Sequence, residues 1–143
     1  MDRSDSRTKS TPTGSGATTL VRALQVTAAL SVLTVVWQGA TAGELLSGHP
    51  AALMYHGAGA IILHVFTAAA AVATYLIRRR MRAPLWPTVL AVVVFACTIV
   101  QAAVGDAGIL TLHVPMALML TLGSAVLLSW SFLWAPDRRP RRS

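Results

Sequence analysis

Acidic side chains are scarce in this chain. There are five among 143 residues, and only Glu44 and Asp106 fall between residues 6 and 136. Charge of either sign is missing from four long segments, 23–43, 45–77, 83–105 and 107–136. With 12% charged and 55% hydrophobic residues, the chain carries about half the charge of an ordinary soluble domain. That excludes a soluble enzyme. It also excludes a nucleic-acid-binding domain, despite the formal net charge of +7. Cys97 is the single cysteine and lies in an apolar run, so no disulfide can close within the chain. Paired carboxylates, a Walker loop, a Gly-x-Ser-x-Gly elbow and a Cys-x-x-Cys pair are missing too, and with them the commonest hydrolytic, phosphate-binding and thiol chemistries.

What is present is uninterrupted apolar length. Each charge-free segment has at least 21 residues, and about 20 apolar residues cross the hydrocarbon core of a bilayer. Spans are therefore expected over about 20–40, 52–77, 85–104 and 109–134, giving an all-α integral membrane four-helix bundle. Residues 1–19 are rich in Ser, Thr and Gly, contain Pro12 and lack apolar periodicity, as a disordered tail does. Residues 135–143 form a second, basic tail. Arg3, Arg7, Lys9 and Arg22 precede span one, and Arg78, Arg79, Arg80 and Arg82 join spans two and three. Arg138, Arg139, Arg141 and Arg142 follow span four, while 41–51 and 105–108 hold no Lys or Arg. The positive-inside rule then puts both termini in the cytoplasm of a cell with the chain in its inner (plasma) membrane, threaded as two antiparallel hairpins. The arginine clusters read as topology determinants and as contacts for anionic lipids at the cytoplasmic face. Ala40-Thr41-Ala42 resembles a signal-peptidase site, but the basic lead-in is long and span one carries an organised polar strip, so span one is read as retained.

Polar groups fall on faces. At 100° per residue, Thr27, Ser31, Thr34 and Gln38 share a strip of span one. His56, Ala60, His64, Thr67, Ala71 and Thr74 share a quadrant of span two, Cys97 and Gln101 a line on span three, and His113, Ser124 and Ser131 a line on span four. Lipid cannot satisfy such groups, so these faces are expected to turn inward. Histidine inside a span is costly unless bonded or liganding. His56 and His113 each fall at the fifth position of a span that starts on the outer side, hence at one depth. Two facing neutral imidazoles at one depth suit bis-histidine ligation of a haem iron. Gly57, Gly59 and Ala60 remove bulk beside His56, and Pro115 frees a carbonyl near His113. Gln38 and Gln101 are candidate partners of the ligands. His64 lies about 12 Å deeper and reads as a structural hydrogen-bonding group, with ligation a lesser option; His49 reads as a solvated loop residue. The two halves also form a weak repeat, Gln38 and Gln101 closing the outgoing helices and His56 and His113 opening the returning ones.

The run Val100-Gln101-Ala102-Ala103-Val104-Gly105, a short turn and then Leu112-His113-Val114-Pro115 resemble one four-helix half of heme A synthase. Residues 20–134 also resemble small four-span bacterial membrane proteins with a histidine opening helix two. The first resemblance implies haem b held by His56 and His113, each the early histidine of its helix. Heme A synthase has two such bundles per chain, and here there is one. Its haem-oxidising half carries a carboxylate three residues before the helix-two histidine, where this chain has Leu53. No span contains an Asp or Glu, so haem binding is implied without the methyl oxidation. The leading expectation is thus a b-type-cytochrome-like protein exchanging electrons with a quinol or another membrane redox partner, or handling haem. A cofactor-free accessory or assembly subunit is the second reading. A small transporter or channel using His64, Thr67 and Gln38 is the third.

Overall fold

The computed structural model describes residues 15–134, and the chain over that range is helical apart from short connections. The helices are α1 (Ser15–Leu46), α2 (Ala52–Met81), α3 (Trp86–Asp106) and α4 (Leu110–Leu133). All four are long and apolar enough to cross a membrane. The shortest, α3 with 21 residues, reaches about 31 Å, the thickness of the hydrocarbon core.

Helices α1, α2 and α3 run past the C-terminal ends of the expected spans, whereas α4 falls within its own. Residues 15–19, expected in the N-terminal tail, form the first turn of α1, because extending a nucleated helix costs little even through Thr and Gly. The remainder of that tail, 1–14, and the basic tail, 135–143, lie outside the described residues. At its other end α1 passes unbroken through Ala40-Thr41-Ala42 to Leu46, where a connection was expected from residue 41. An apolar run marks where hydrocarbon ends; a helix ends where the backbone is stopped. Here the stop is Gly48, at φ +87°. The Gly48 N–H donates to the Leu45 carbonyl (3.1 Å) and the His49 N–H to the Glu44 carbonyl (3.0 Å), which is a Schellman cap. Helix α3 ends in the same way at Gly108, φ +70°, with Gly108 N–H on Gly105 (2.9 Å) and Ile109 N–H on Val104 (3.1 Å). The two halves thus share a terminating motif. Between α2 and α3 the turn differs: Arg82 takes φ 54°, at a cost of about 1 kcal/mol for a residue with a Cβ. Pro84 bars Ala83 from continuing the helix. Pro87 stands in the first turn of α3, where its missing N–H costs nothing.

Helix α1 packs on α2 and α4, and α3 packs on α2 and α4, so α2 and α4 face each other across a diagonal. Leu24, Ala70, Ala73, Ile77 and Ala83 form one core cluster, against which Trp130 and Trp134 pack. Ala91, Val94, Leu120 and Leu127 form a second. The polar strips do face inward: Ser31, Thr67, Thr74, Thr98, Ser124 and Ser131 are all 1–2% exposed. Most of their hydroxyls donate to their own helix, as Ser31 does to the Thr27 carbonyl (2.8 Å) and Thr67 to the Leu63 carbonyl (2.8 Å). A back-bonded hydroxyl lets two helices approach without tying them together. One link between α1 and α4 does cross, Gln25 Nε2 to the Ser131 carbonyl at 3.1 Å.

Close approach is tightest at Gly123, where a Cβ would stand 2.6 Å from Val94 Cγ2. Val94 is 3% exposed and its β-branched side chain has little rotamer freedom. Gly123→Ala is therefore expected to destabilise the bundle by about 1–3 kcal/mol, read as a lower thermal unfolding midpoint in detergent.

Candidate functional site

The returning helices α2 and α4 bring His56 and His113 together across the bundle diagonal. Their ring centroids are 6.1 Å apart with the planes inclined at 49°. Each ring is anchored through Nδ1. His113 Nδ1 lies 3.1 Å from the Gln101 backbone carbonyl; a carbonyl only accepts, so Nδ1 carries the proton and donates. His56 Nδ1 lies 2.9 Å from Thr41 Oγ1. The Thr41 hydroxyl spends its proton on the carbonyls of Trp37 and Gln38, both at 3.1 Å. With its proton placed there, the oxygen accepts from His56, and that arrangement puts the proton of His56 on Nδ1 as well. In this tautomer the lone pair of each ring is on Nε2. An oxygen that accepts from one ring nitrogen of a metal-binding histidine imposes this tautomer.

The α3–α4 side is clasped twice. Gln101 Nε2 donates to the His113 carbonyl at 2.7 Å while the His113 ring donates back to the Gln101 carbonyl. The His113 ring also rests on Gly105, where a Cβ would meet Cε1 at 2.8 Å and Nδ1 at 3.0 Å. On the α1–α2 side the absent Cβ of Gly59 makes room for α1, since it would meet Gln38 Oε1 at 2.6 Å and Trp37 Cδ1 at 2.9 Å. Trp37 Nε1 donates to the Tyr55 carbonyl at 3.4 Å. The side-chain oxygens of Gln38 and Gln101 are both buried with no partner. Two hydroxyls further along the bundle, those of Thr88 and Ser124, are buried without a partner as well, and two of the four unpaired atoms thus belong to the histidine end.

Other sequence candidates land elsewhere. Gly57 is exposed with open space where a side chain would be, so it does not border the pair as expected. Gly59 is buried, but the space it leaves is taken by Gln38 and Trp37. His64 is half-buried and its Nδ1 is bonded to the Ala60 carbonyl of its own helix, not across the bundle to Thr or Gln. His49 is exposed and pairs with Glu44 at 2.8 Å. Among the described residues no group of three or more His, Cys, Asp or Glu could hold a metal ion. Thr41 and Gly105 were the residues that sequence reasoning did not assign to the site. The signal for Thr41 was available: three residues beyond Gln38, it continues the inward strip of α1 once the helix is allowed to run on.

Thr41→Val keeps the shape of the side chain and removes the acceptor for His56. It is expected to cost about 1 kcal/mol and to release the His56 proton to exchange between ring nitrogens. Ring 15N chemical shifts of His56 check the second effect and a thermal melt the first.

No protein-family model, curated protein or solved structure matches the chain. Its class rests on its own architecture: four candidate membrane-spanning helices make it an all-helical, multi-pass membrane protein.

Proposed function

We propose that this protein binds haem b between His56 and His113 and serves as a small b-type-cytochrome-like electron carrier or haem-handling protein. The observation that carries the reading is the pair of imidazole rings, 6.1 Å apart at their centroids, each with its Nδ1 at hydrogen-bond distance from an oxygen. The donor set, two imidazole nitrogens brought together from separate helices, is of the kind that would hold a haem iron. His56 and His113 would hold it, Thr41 and the Gln101 carbonyl would keep them in the ligating tautomer, and the group would supply one-electron exchange. The same reading places the chain as two antiparallel hairpins with both termini in the cytoplasm and the histidine end outside, because the described arginines cluster at the opposite end. A quinol or membrane redox protein is the fitting partner.

A second reading has its own support. Gly59 is filled by α1 side chains and Gly105 by the His113 ring, which is how histidines act when they hold helices together. A cofactor-free accessory subunit would look like this. The absorption spectrum of the protein purified after expression with ample haem separates the two. A sharp Soret band with resolved α and β bands on reduction supports the cytochrome; a stable, folded and colourless protein supports the accessory subunit and sinks the first proposal.

A further inference from the structure

Charge among the described residues is segregated by end. Arg78, Arg79, Arg80 and Arg82 stand where α2 gives way to α3, and Arg22 joins them through its neighbour Leu24, which packs on Ile77 and Ala83. Glu44 and Asp106, the only described acids, belong to the far ends of α1 and α3. Two of the arginines are occupied. Arg78 Nη1 donates to the Ala83 carbonyl at 3.4 Å, and Arg79 donates to Tyr75 Oη at 3.3 Å while lying over its ring. Arg80 and Arg82 are exposed, with no hydrogen bond or ion pair among the described residues.

Next along the chain, the outside of α3 presents a shallow apolar groove lined by Leu85, Trp86, Val89, Leu90 and Val93. Leu85, Val89 and Val93 are 49–52% exposed and lie at i, i+4 and i+8, an apolar track about 12 Å long. Arg82 precedes Leu85 by three residues, so their Cα atoms are at most about 11 Å apart. A second groove of about 240 Å³, lined by Leu30, Leu33, Thr34, Trp37, Gly59 and Ile62, lies toward the histidine end. No described cation stands at that end. The two grooves are alike in apolarity and opposite in the charge above them.

We propose that the α3 groove with Arg80 and Arg82 is a binding site for an anionic glycerophospholipid, one acyl chain lying along Leu85, Val89 and Val93 and the phosphate between the two guanidinium groups. Charge selects the occupant. The apolar track accepts any acyl chain, whereas two unpaired guanidinium groups favour a headgroup whose negative charge is not balanced by its own ammonium. Each arginine near a membrane surface raises the local preference for anionic lipid by roughly fivefold.

The test uses the full chain in phosphatidylcholine vesicles holding an equal minority of dibrominated phosphatidylglycerol or dibrominated phosphatidylcholine, with tryptophan fluorescence as the readout. The brominated anionic lipid is expected to quench at least about twofold more than its zwitterionic counterpart, since Trp86 lines the groove. The excess should persist in Trp37→Phe, which removes the reporter of the cation-free groove. It should fall markedly in Arg80→Gln/Arg82→Gln, two exposed changes with no bonded partner to lose. Equal quenching in the unmodified chain, or an excess unchanged in the double variant, overturns the site. Should the double variant not fold, native mass spectrometry of the unmodified chain decides: preferential retention of phosphatidylglycerol over phosphatidylcholine supports the proposal, and retention of both alike overturns it. Neither readout depends on haem.

Discussion

Alanine at His56, or at His113, is expected to erase the paired-histidine absorption spectrum, whereas alanine at His64 or His49 should leave it intact. The asymmetry follows from where the rings stand. Those of His56 and His113 lie 6.1 Å apart at their centroids, each with its Nδ1 bonded. His64 has its Nδ1 on its own helix carbonyl and sits about 12 Å along α2 from His56, beyond the reach of an iron held by His113. His49 is exposed and engaged with Glu44. Loss of a directly ligating imidazole should exceed the 10–100-fold loss of affinity typical of a residue that only orients a ligand. Each alanine also removes one hydrogen bond, at about 1 kcal/mol, so the variants should stay folded and the spectrum should report ligation. A spectrum that survives in either variant, or that is lost in His64→Ala instead, contradicts the assignment.

How far the site was legible in advance depended on the kind of information each residue needed. Run length and charge gaps located four helices, because the cost of burying charge in hydrocarbon acts on every residue of a span. The inward strips were equally legible, since Ser31, Thr67, Ser124 and Ser131 obey the helical repeat and are all 2% exposed. Depth matching of His56 and His113 also worked, since it needs only the helix starts and the rise per residue. Helix ends were harder. The first span was cut short at residue 40 because polar composition was read as a stop, and Thr41, which holds His56, fell into an imagined loop. Only Gly48, free to take positive φ, ends the helix. Rotation of one helix against another was not legible at all. Gly57 and Gly59 look equivalent beside His56 in sequence, yet one is open to the outside and the other is filled by α1. No local rule sets that angle; it emerges from packing all four helices at once.

Gly105 carries the second large effect. Gly105→Ala is expected to lower haem affinity 10–100-fold, while Gln101→Leu, a larger chemical change on the same helix face, should lower it far less. A Cβ at Gly105 would stand 2.8 Å from His113 Cε1 and 3.0 Å from Nδ1, so the ring must move. The Gln101 carbonyl accepting from Nδ1 belongs to the same helix one turn earlier, so the shift acts directly on that bond. Displacing the ring therefore breaks the contact that sets its tautomer. Gln101→Leu leaves that backbone carbonyl in place. It removes the Nε2 bond to the His113 carbonyl, worth about 1 kcal/mol, but it also removes a buried oxygen with no partner, whose burial costs about 1–3 kcal/mol. The two terms offset, so the leucine variant should melt close to the unmodified protein and keep the proton of His113 on Nδ1. Ring 15N shifts of His113 in the haem-free protein read the tautomer directly: a shift in Gly105→Ala and none in Gln101→Leu is the expected pattern. The reverse would mean that the Gln101 amide, and not its backbone carbonyl, positions the ring.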